Sequence, residues 1–179
     1  MMTIEVAKQL NGTLFEQVVE MLNTSKEDLV NNVCINCKER GIHTYDTYND
    51  YKIAPEYLRK LQNNEYLLLK DDDKIVGILS YVKAYNKEKD VNRFELFINA
   101  LFIRKEYRRK GWGSNLLKAF EDIWQSRRVV VLVCSKNEEV KKFMSANLYK
   151  IIKVTREYSE KCFGADLYEK YTNEYLYNI

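Results

Sequence analysis

The sequence predicts a mixed α/β fold, in which a mostly antiparallel sheet carries one parallel β-α-β crossover and helices on both faces. Apolar runs separated by polar turns predict an antiparallel meander of strands at residues 66–70, 75–84 and 92–103. Residues 114–126 then show apolar side chains at helical spacing, and VVVLVC at 129–134 is typical of a strand buried on both faces. Because this strand–helix–strand unit crosses over, its two strands are expected to be parallel.

The remaining elements follow from the same kinds of pattern. Ser25 has the character of an N-cap, and Pro55 fits the first turn of a helix. In chain order the sequence predicts an edge strand at 2–8, a helix at 14–22, a helix from 25 to about 40, a polar loop at 43–52, a short helix from 55 to about 63, a helix at 137–147, and strands at 148–158 and 164–172.

Length and charge predict one domain with a local anion site. The 179 residues are expected to form a single domain, 1–179, and 46% apolar with 31% charged residues is ordinary for a globular protein. The net charge is +3, yet the segment RKEYRRK at 104–110 holds five cations and one anion. The rest of the chain is therefore slightly acidic. This favours one anionic ligand and argues against a nucleic-acid partner.

The sequence also predicts the cellular location and the state of the cysteines. No apolar run approaches the ~18 residues of a membrane span, and MMTIEVAKQLNG lacks the basic and apolar regions of a signal peptide. We therefore expect a cytoplasmic protein with no membrane partner. Cys34 and Cys37 form a CxxC, while Cys134 and Cys162 lie far away along the chain. Incidental free thiols are favoured over a redox pair or a zinc site, and no metal is expected.

The segment 108–113, RRKGWG, combines three features of an anion site. Three cations precede two glycines, and the glycines open an amphipathic helix whose first N–H groups are unpaired. A dinucleotide-binding GxGxxG does not fit, since Leu116 stands at the third glycine, and no Gly-Lys-Ser/Thr of a P-loop exists. A basic surface turn before a helix is the alternative interpretation.

The longer stretch ALFIRKEYRRKGWGSNLL, residues 100–117, resembles the acyl-CoA signature of the GNAT superfamily of N-acetyltransferases. Arg108, Gly111 and Gly113 fall on its Arg-x-x-Gly-x-Gly positions, and Ile103 falls on the apolar position five before the arginine. The second family motif also follows, as a buried strand, Asn137 and a helix. The resemblance covers residues 65–172, an acyl-CoA-binding core, while residues 11–64 occupy the variable helical region on the acceptor side.

The resemblance implies acetyl-CoA as co-substrate. Backbone N–H groups at 111–114 would hold the pyrophosphate, nearby cations would add charge, and the pantetheine arm would pair between strands 92–103 and 129–134. Asn137 would bond the pantetheine, cap its helix, or do both. Trp112 alternatively packs under the helix. The expected cofactor-binding residues are Leu101, Phe102, Ile103, Arg108, Arg109, Lys110, Gly111, Trp112, Gly113, Ser114 and Asn137.

Acetyl transfer to an amine also needs proton-transfer groups, because a lysine-like amine has a pKa of ~10.4. In strand 92–103 the even positions are apolar, so the polar odd positions are expected to face a cleft unless a bulge changes the facing. Glu95 is then the candidate base, or an exposed strand residue, and Asn99 a ligand of substrate or water. The family's acid, a tyrosine, is expected at 144, where this chain has Met144. Tyr149 is a nearby candidate acid or a core residue.

Three functions remain open from the sequence. The first is an N-acetyltransferase that acetylates a primary amine directly in a ternary complex. The others are a non-catalytic acyl-CoA sensor and an RNA-binding protein that uses the basic segment. The acceptor is unidentified: small amines, antibiotics, protein N-termini and lysines all remain candidates. His43 and the tyrosines at 45, 48 and 51 line an amine site or simply belong to a loop. Dimers are common in the resembling family, so a homodimer is also open.

Overall fold

The computed structural model describes residues 1–24, 48–49, 52–53, 62–85, 94–125, 127–134, 137–155 and 165–172. Within these ranges the elements are β1 (Met2–Ala7), α1 (Gly12–Thr24), β2 (Tyr48–Asn49), β3 (Lys52–Ile53), β4 (Glu65–Asp71), β5 (Lys74–Tyr85), β6 (Phe94–Ile103), α2 (Trp112–Ile123), β7 (Arg128–Cys134), α3 (Glu138–Ala146), β8 (Lys150–Thr155) and β9 (Ala165–Tyr171). None of the helices in these ranges is long and apolar enough to cross a membrane.

Seven strands form one sheet in the order β1-β4-β5-β6-β7-β9-β8. Among its described neighbours only β6 and β7 run parallel, and α2 makes the crossover between them. The other pairs are antiparallel, beginning with the predicted meander of β4, β5 and β6. This architecture confirms the predicted fold class.

Helices cover both faces of the sheet. On one face α1 buries Val18, Met21 and Leu22 against a core that includes Tyr66 and Phe102. The opposite core contains side chains from both α2 and α3, including Leu116, Leu117, Phe120 and Met144, packed with the apolar residues of β7. Helices α2 and α3 therefore flank the same side of the parallel strand pair.

A β-bulge interrupts β6 at Asn99. Ile98 pairs with Tyr81 and Ala100 pairs with Ser80, so one residue of β6 has no counterpart on β5. Leu96 and Ile98 accordingly pack into the core on the α2 face, whereas Phe102 packs on the α1 face. The expectation that the even positions of β6 share one face is therefore wrong, because the extra residue reverses the alternation.

Three predictions for the acceptor-side region fall wholly or largely outside the described residues. The polar loop expected at 43–52 contains a two-residue antiparallel ladder between β2 and β3. The helix expected from 25 to 40 lies outside the described residues, as does most of the short helix expected at 55–63. Cys34, Cys37 and His43 also lie outside them.

Candidate active site

A cleft opens where the two parallel strands separate. Strands β6 and β7 pair only from Leu96–Ile98 to Val129–Val131, and their C-terminal halves diverge beyond the bulge at Asn99. The cavity between them has a volume of about 610 Å³. Its apolar lining consists of Ile98, Ala100, Leu101, Ile103, Val131, Leu132, Val133, Val140, Phe143 and Met144.

The lining of the cleft includes residues from both faces of the sheet. Val131 and Val133 belong to the core on the α2 face, while Leu132 between them points to the opposite face and is 61% exposed. All three line the cleft.

The mouth of the cleft is the loop between β6 and α2. Arg109 and Gly111 both have positive φ, 57° and 81°, and Gly111 is the N-cap of α2. The first bond of the helix runs from Asn115 N to Gly111 O at 3.0 Å, and no side chain caps this end. The N–H groups at 112–114 consequently lack intrahelical partners, which makes this end suited to bind an anion.

Glycine is favoured at the two positions of the loop, 111 and 113, for different physical reasons. A Cβ added at Gly111 would meet nothing within 4 Å, so its positive φ is what favours glycine there. At Gly113 a Cβ would lie 3.4 Å from the Phe143 ring of α3. Gly113 thus allows the start of α2 to approach α3 beside the cleft.

The three cations of the loop have different surroundings. Arg108 donates from Nε to the Ile103 carbonyl at 2.7 Å and lines the cleft. Arg109 also lines it, and its guanidinium lies 3.3 Å from Glu139 of α3 across the mouth. An incoming phosphate would compete with Glu139 for Arg109. Lys110 is not among the lining residues; its Nζ lies 5.7 Å from the centre of the Tyr107 ring.

Contacts outside the loop hold it in place. The Tyr107 hydroxyl donates to Asp71 at 3.0 Å, and this bond raises the pKa of Tyr107. Arg104, at the end of β6, is buried; its Nε donates to the Ile75 carbonyl at 3.0 Å and its guanidinium contacts Glu20 of α1. Sequence patterns missed Arg104 and Glu139, because both act through partners distant along the chain.

Three other residues of the predicted cofactor set, Phe102, Trp112 and Asn137, are not among the lining residues of the cleft. Phe102 packs toward α1 and Trp112 packs against the core on the α2 face. Asn137 caps α3, its Oδ1 accepting from Val140 N at 3.1 Å. Its predicted contact with pantetheine stays a prediction.

The candidate proton-transfer residues are not brought together. Asn99 lines the cleft at the bulge of β6. Met144 of α3 also lines the cleft and is 2% exposed. Glu95 instead pairs with Arg128 at 2.7 Å, and Arg128 bridges to Glu169 of β9, also at 2.7 Å. Partial burial lowers the pKa of Arg128, but the two carboxylates raise it overall.

Tyr149 occupies the core beside α2 and α3. It is 3% exposed, it is not among the lining residues of the cleft, and burial raises the pKa of its hydroxyl above the ordinary value. Lys170 Nζ lies 5.6 Å from the ring centre. These surroundings match the core position that the sequence analysis gave as the alternative.

The described residues offer no metal site. No group of three or more His, Cys, Asp or Glu side chains within the described ranges is placed to hold an ion. The lining of the cleft likewise includes no carboxylate and no imidazole among those residues. The polar side chains among the described lining residues are those of Asn99, Arg108, Arg109 and Ser114.

The splayed parallel strands and the uncapped helix agree with a sequence comparison. The profile of the acetyltransferase (GNAT) family matches residues 20–148. The chain belongs to the acetyltransferase (GNAT) family. This confirms the resemblance carried by residues 100–117 and extends it into α1. A search of curated protein sequences gave no match.

Solved structures share the fold over nearly the whole chain. Arabidopsis thaliana NAA60 in complex with a bisubstrate analogue is 13% identical, with a TM-score of 0.65, 96% of this chain covered and 99% of that one. The NAA60 complex with acetyl-CoA is also 13% identical, with a TM-score of 0.61, 94% of this chain covered and 99% of that one. An acetyltransferase from Thermus thermophilus is 15% identical, with a TM-score of 0.66, 94% of this chain covered and 97% of that one. At these identities the likeness concerns the fold alone.

Proposed function

We propose that this GNAT acetyltransferase transfers the acetyl group of acetyl-CoA to a primary amine, directly and within a ternary complex. The observation that carries the proposal is the cleft between β6 and β7, which has an uncapped helix N-terminus at its mouth and is lined from both faces of the sheet. Donor and acceptor can then meet inside one cleft without a covalent enzyme intermediate. The NAA60 complexes with acetyl-CoA and with a bisubstrate analogue support this arrangement.

The residues at the cleft suit acetyl-CoA. The N–H groups at 112–114 and the guanidinium of Arg109 suit the pyrophosphate. The apolar walls suit the pantetheine arm, and the edge of β6 beyond Ile98 has no β7 partner, so its backbone is available to the amides of that arm.

The reaction exchanges one bond for another. The neutral amine nitrogen attacks the thioester carbonyl, the C–N bond forms, and the C–S bond breaks to release the thiolate of CoA. One proton leaves the amine nitrogen and one is taken up by the thiolate, so water can accept the first and donate the second. A bulge leaves backbone groups outside the ladder, and the proposal assigns those at Asn99 to stabilise the developing oxyanion.

We assign Glu95 as the final acceptor of the amine proton, reached through water. It is the acidic side chain of β6, the strand that carries the bulge, and its carboxylate is 40% exposed. Glu95 is not among the lining residues of the cleft, so the proposal routes the proton to it through water. Arg128 holds the carboxylate in position through the 2.7 Å pair.

Replacing Glu95 with glutamine is expected to lower transfer at neutral pH by more than tenfold, because general base catalysis contributes on that scale. Acetyl-CoA affinity should be unchanged. Glu169→Gln is the matched control, since it also removes a carboxylate from Arg128. It should keep transfer within about twofold of the parent, because Glu95 remains paired with Arg128. Steady-state rates of thiol release check both variants, and equal losses would remove Glu95 from the mechanism.

A non-catalytic acyl-CoA-binding protein is the second candidate. It is favoured by Met144, which lines the cleft where a tyrosine acid is expected and cannot donate a proton. Release of free CoA thiol, followed with DTNB across a panel of small amines, lysine peptides and peptide N-termini, separates the two. Amine-dependent release supports the transferase. Tight acetyl-CoA binding without release across the whole panel supports the binding protein.

A further inference from the structure

The inner end of the cleft is apolar. Strands β6 and β7 rejoin at the pair Ile98 and Val131, and both side chains line the cleft there. Met144 of α3 contributes a third apolar wall and Leu132 a fourth. Asn99 is the polar side chain beside them, and it is exposed.

Strand geometry places the acyl group of a bound thioester at this end. The pyrophosphate would lie at residues 111–114, just beyond the end of β6. From Ile103 back to Ile98 the strand covers about 16 Å, at ~3.3 Å per residue. A pantetheine arm that follows the unpaired edge of β6 therefore directs its sulfur toward Ile98, Val131 and Met144.

One of the apolar side chains at this end is flexible. Met144 lines the cleft, and an unbranched thioether adjusts its rotamer to its neighbours more easily than a tyrosine ring does. Leu132 lies on the opposite face and is 61% exposed. An alkyl chain longer than acetyl would cover Leu132. It would also leave no hydrogen bond of Met144 unmade, because the thioether is only a weak acceptor.

We propose that the donor site accepts short unbranched acyl groups longer than acetyl, such as propionyl and butyryl, and binds them more tightly than acetyl. This rests on the proposed acyl-CoA site, whose donor class it extends. Met144 and Leu132 are the residues that set the chain length. Each further methylene removed from water at this end is expected to tighten binding about fourfold.

Isothermal titration of CoA, acetyl-CoA, propionyl-CoA and butyryl-CoA tests the proposal. The expected result is a butyryl-CoA affinity at least about tenfold above that of acetyl-CoA. In Met144→Tyr this ratio should fall to about one, because a rigid ring fills the inner end. Leu132→Asn should lower the ratio of butyryl-CoA to acetyl-CoA affinity severalfold. This second variant tests the proposal even if a tyrosine does not fit at position 144. Ile123→Ala, an exposed site on α2 outside the cleft, should retain the parent ratio.

Three outcomes overturn all or part of the proposal and can be distinguished. If CoA and acetyl-CoA bind but butyryl-CoA binds no tighter than acetyl-CoA, the extended donor class is wrong while the acyl-CoA site stands. If butyryl-CoA binds tighter but the ratio persists in both Met144→Tyr and Leu132→Asn, the assignment of these two residues to the chain length is wrong. If CoA itself does not bind, the proposed function fails and this inference fails with it.

Discussion

Replacing Gly111 with aspartate is expected to weaken acetyl-CoA binding by at least about 100-fold. The new carboxylate would stand at the N-cap of α2, where the pyrophosphate is expected. Two unit charges about 4 Å apart repel by about 4 kcal/mol at an effective dielectric constant of about 20. Solvent screening reduces this, but about 2.7 kcal/mol is enough for a 100-fold loss. Titration calorimetry measures the affinity directly.

Gly12 provides a matched control for this substitution. It also has a positive φ, 49°, it also begins a helix, and an added Cβ there also meets nothing within 4 Å. Gly12→Asp therefore introduces the same charge and a comparable backbone strain away from the cleft lining. Its acetyl-CoA affinity should stay within about twofold of the parent protein. If both variants lose affinity equally, strain in the fold and not the anion site explains the effect.

The fold was predictable because its determinants are local. The alternating and continuous apolar runs at 66–70, 75–84 and 129–134 match β4, β5 and β7 within a residue or two. Helix α2 was recognisable because the face that carries Leu116, Leu117 and Phe120 repeats at helical spacing. The parallel pairing of β6 with β7 followed from the crossover rule.

The resemblance allowed for a bulge in this strand, but its position was not predictable from this single sequence. An apolar side chain fits either face of a strand covered by helices on both sides, so the pattern of β6 does not reveal where the alternation reverses. Asn99 is identified as the extra residue only by the partners of Ile98 and Ala100 on β5. The facing of Glu95 relative to the cleft depended on that reversal.

The candidate site likewise has a part that was predictable from the sequence and a part that was not. The loop at 108–113 was predictable because glycine spacing and a helix start are local features. Its partners were not: the contact of Arg109 with Glu139 links residues 30 positions apart, and that of Arg104 with Glu20 links residues 84 apart. The helix at 137–147 was predicted, but the sequence did not show that its Val140 and Phe143 line the cleft.

Deleting Asn99 is expected to lower acyl transfer by about 100-fold while leaving the fold intact. Without Asn99, Ile98 and Ala100 become consecutive opposite Tyr81 and Ser80, which restores a regular ladder with β5. Each core side chain of β6 also keeps its present face, since Ile98 and Ile103 would stay on the α2 side and Phe102 on the α1 side. The melting temperature should therefore change by only a few degrees.

The functional loss has a specific geometric cause. A bulge bends and twists its strand, and the pairing of β6 with β7 stops at Ile98, immediately before it. A regular β6 can extend that pairing toward Leu132 and Val133, which closes the cleft on the donor. Misplacement by about 1 Å is enough for a 100-fold loss in rate. Asn99→Ala keeps the bulge and should stay within about tenfold of the parent in kcat/KM, as expected when one hydrogen bond is lost. If Asn99→Ala loses as much as the deletion, the amide side chain and not the bend of the strand is what the reaction requires.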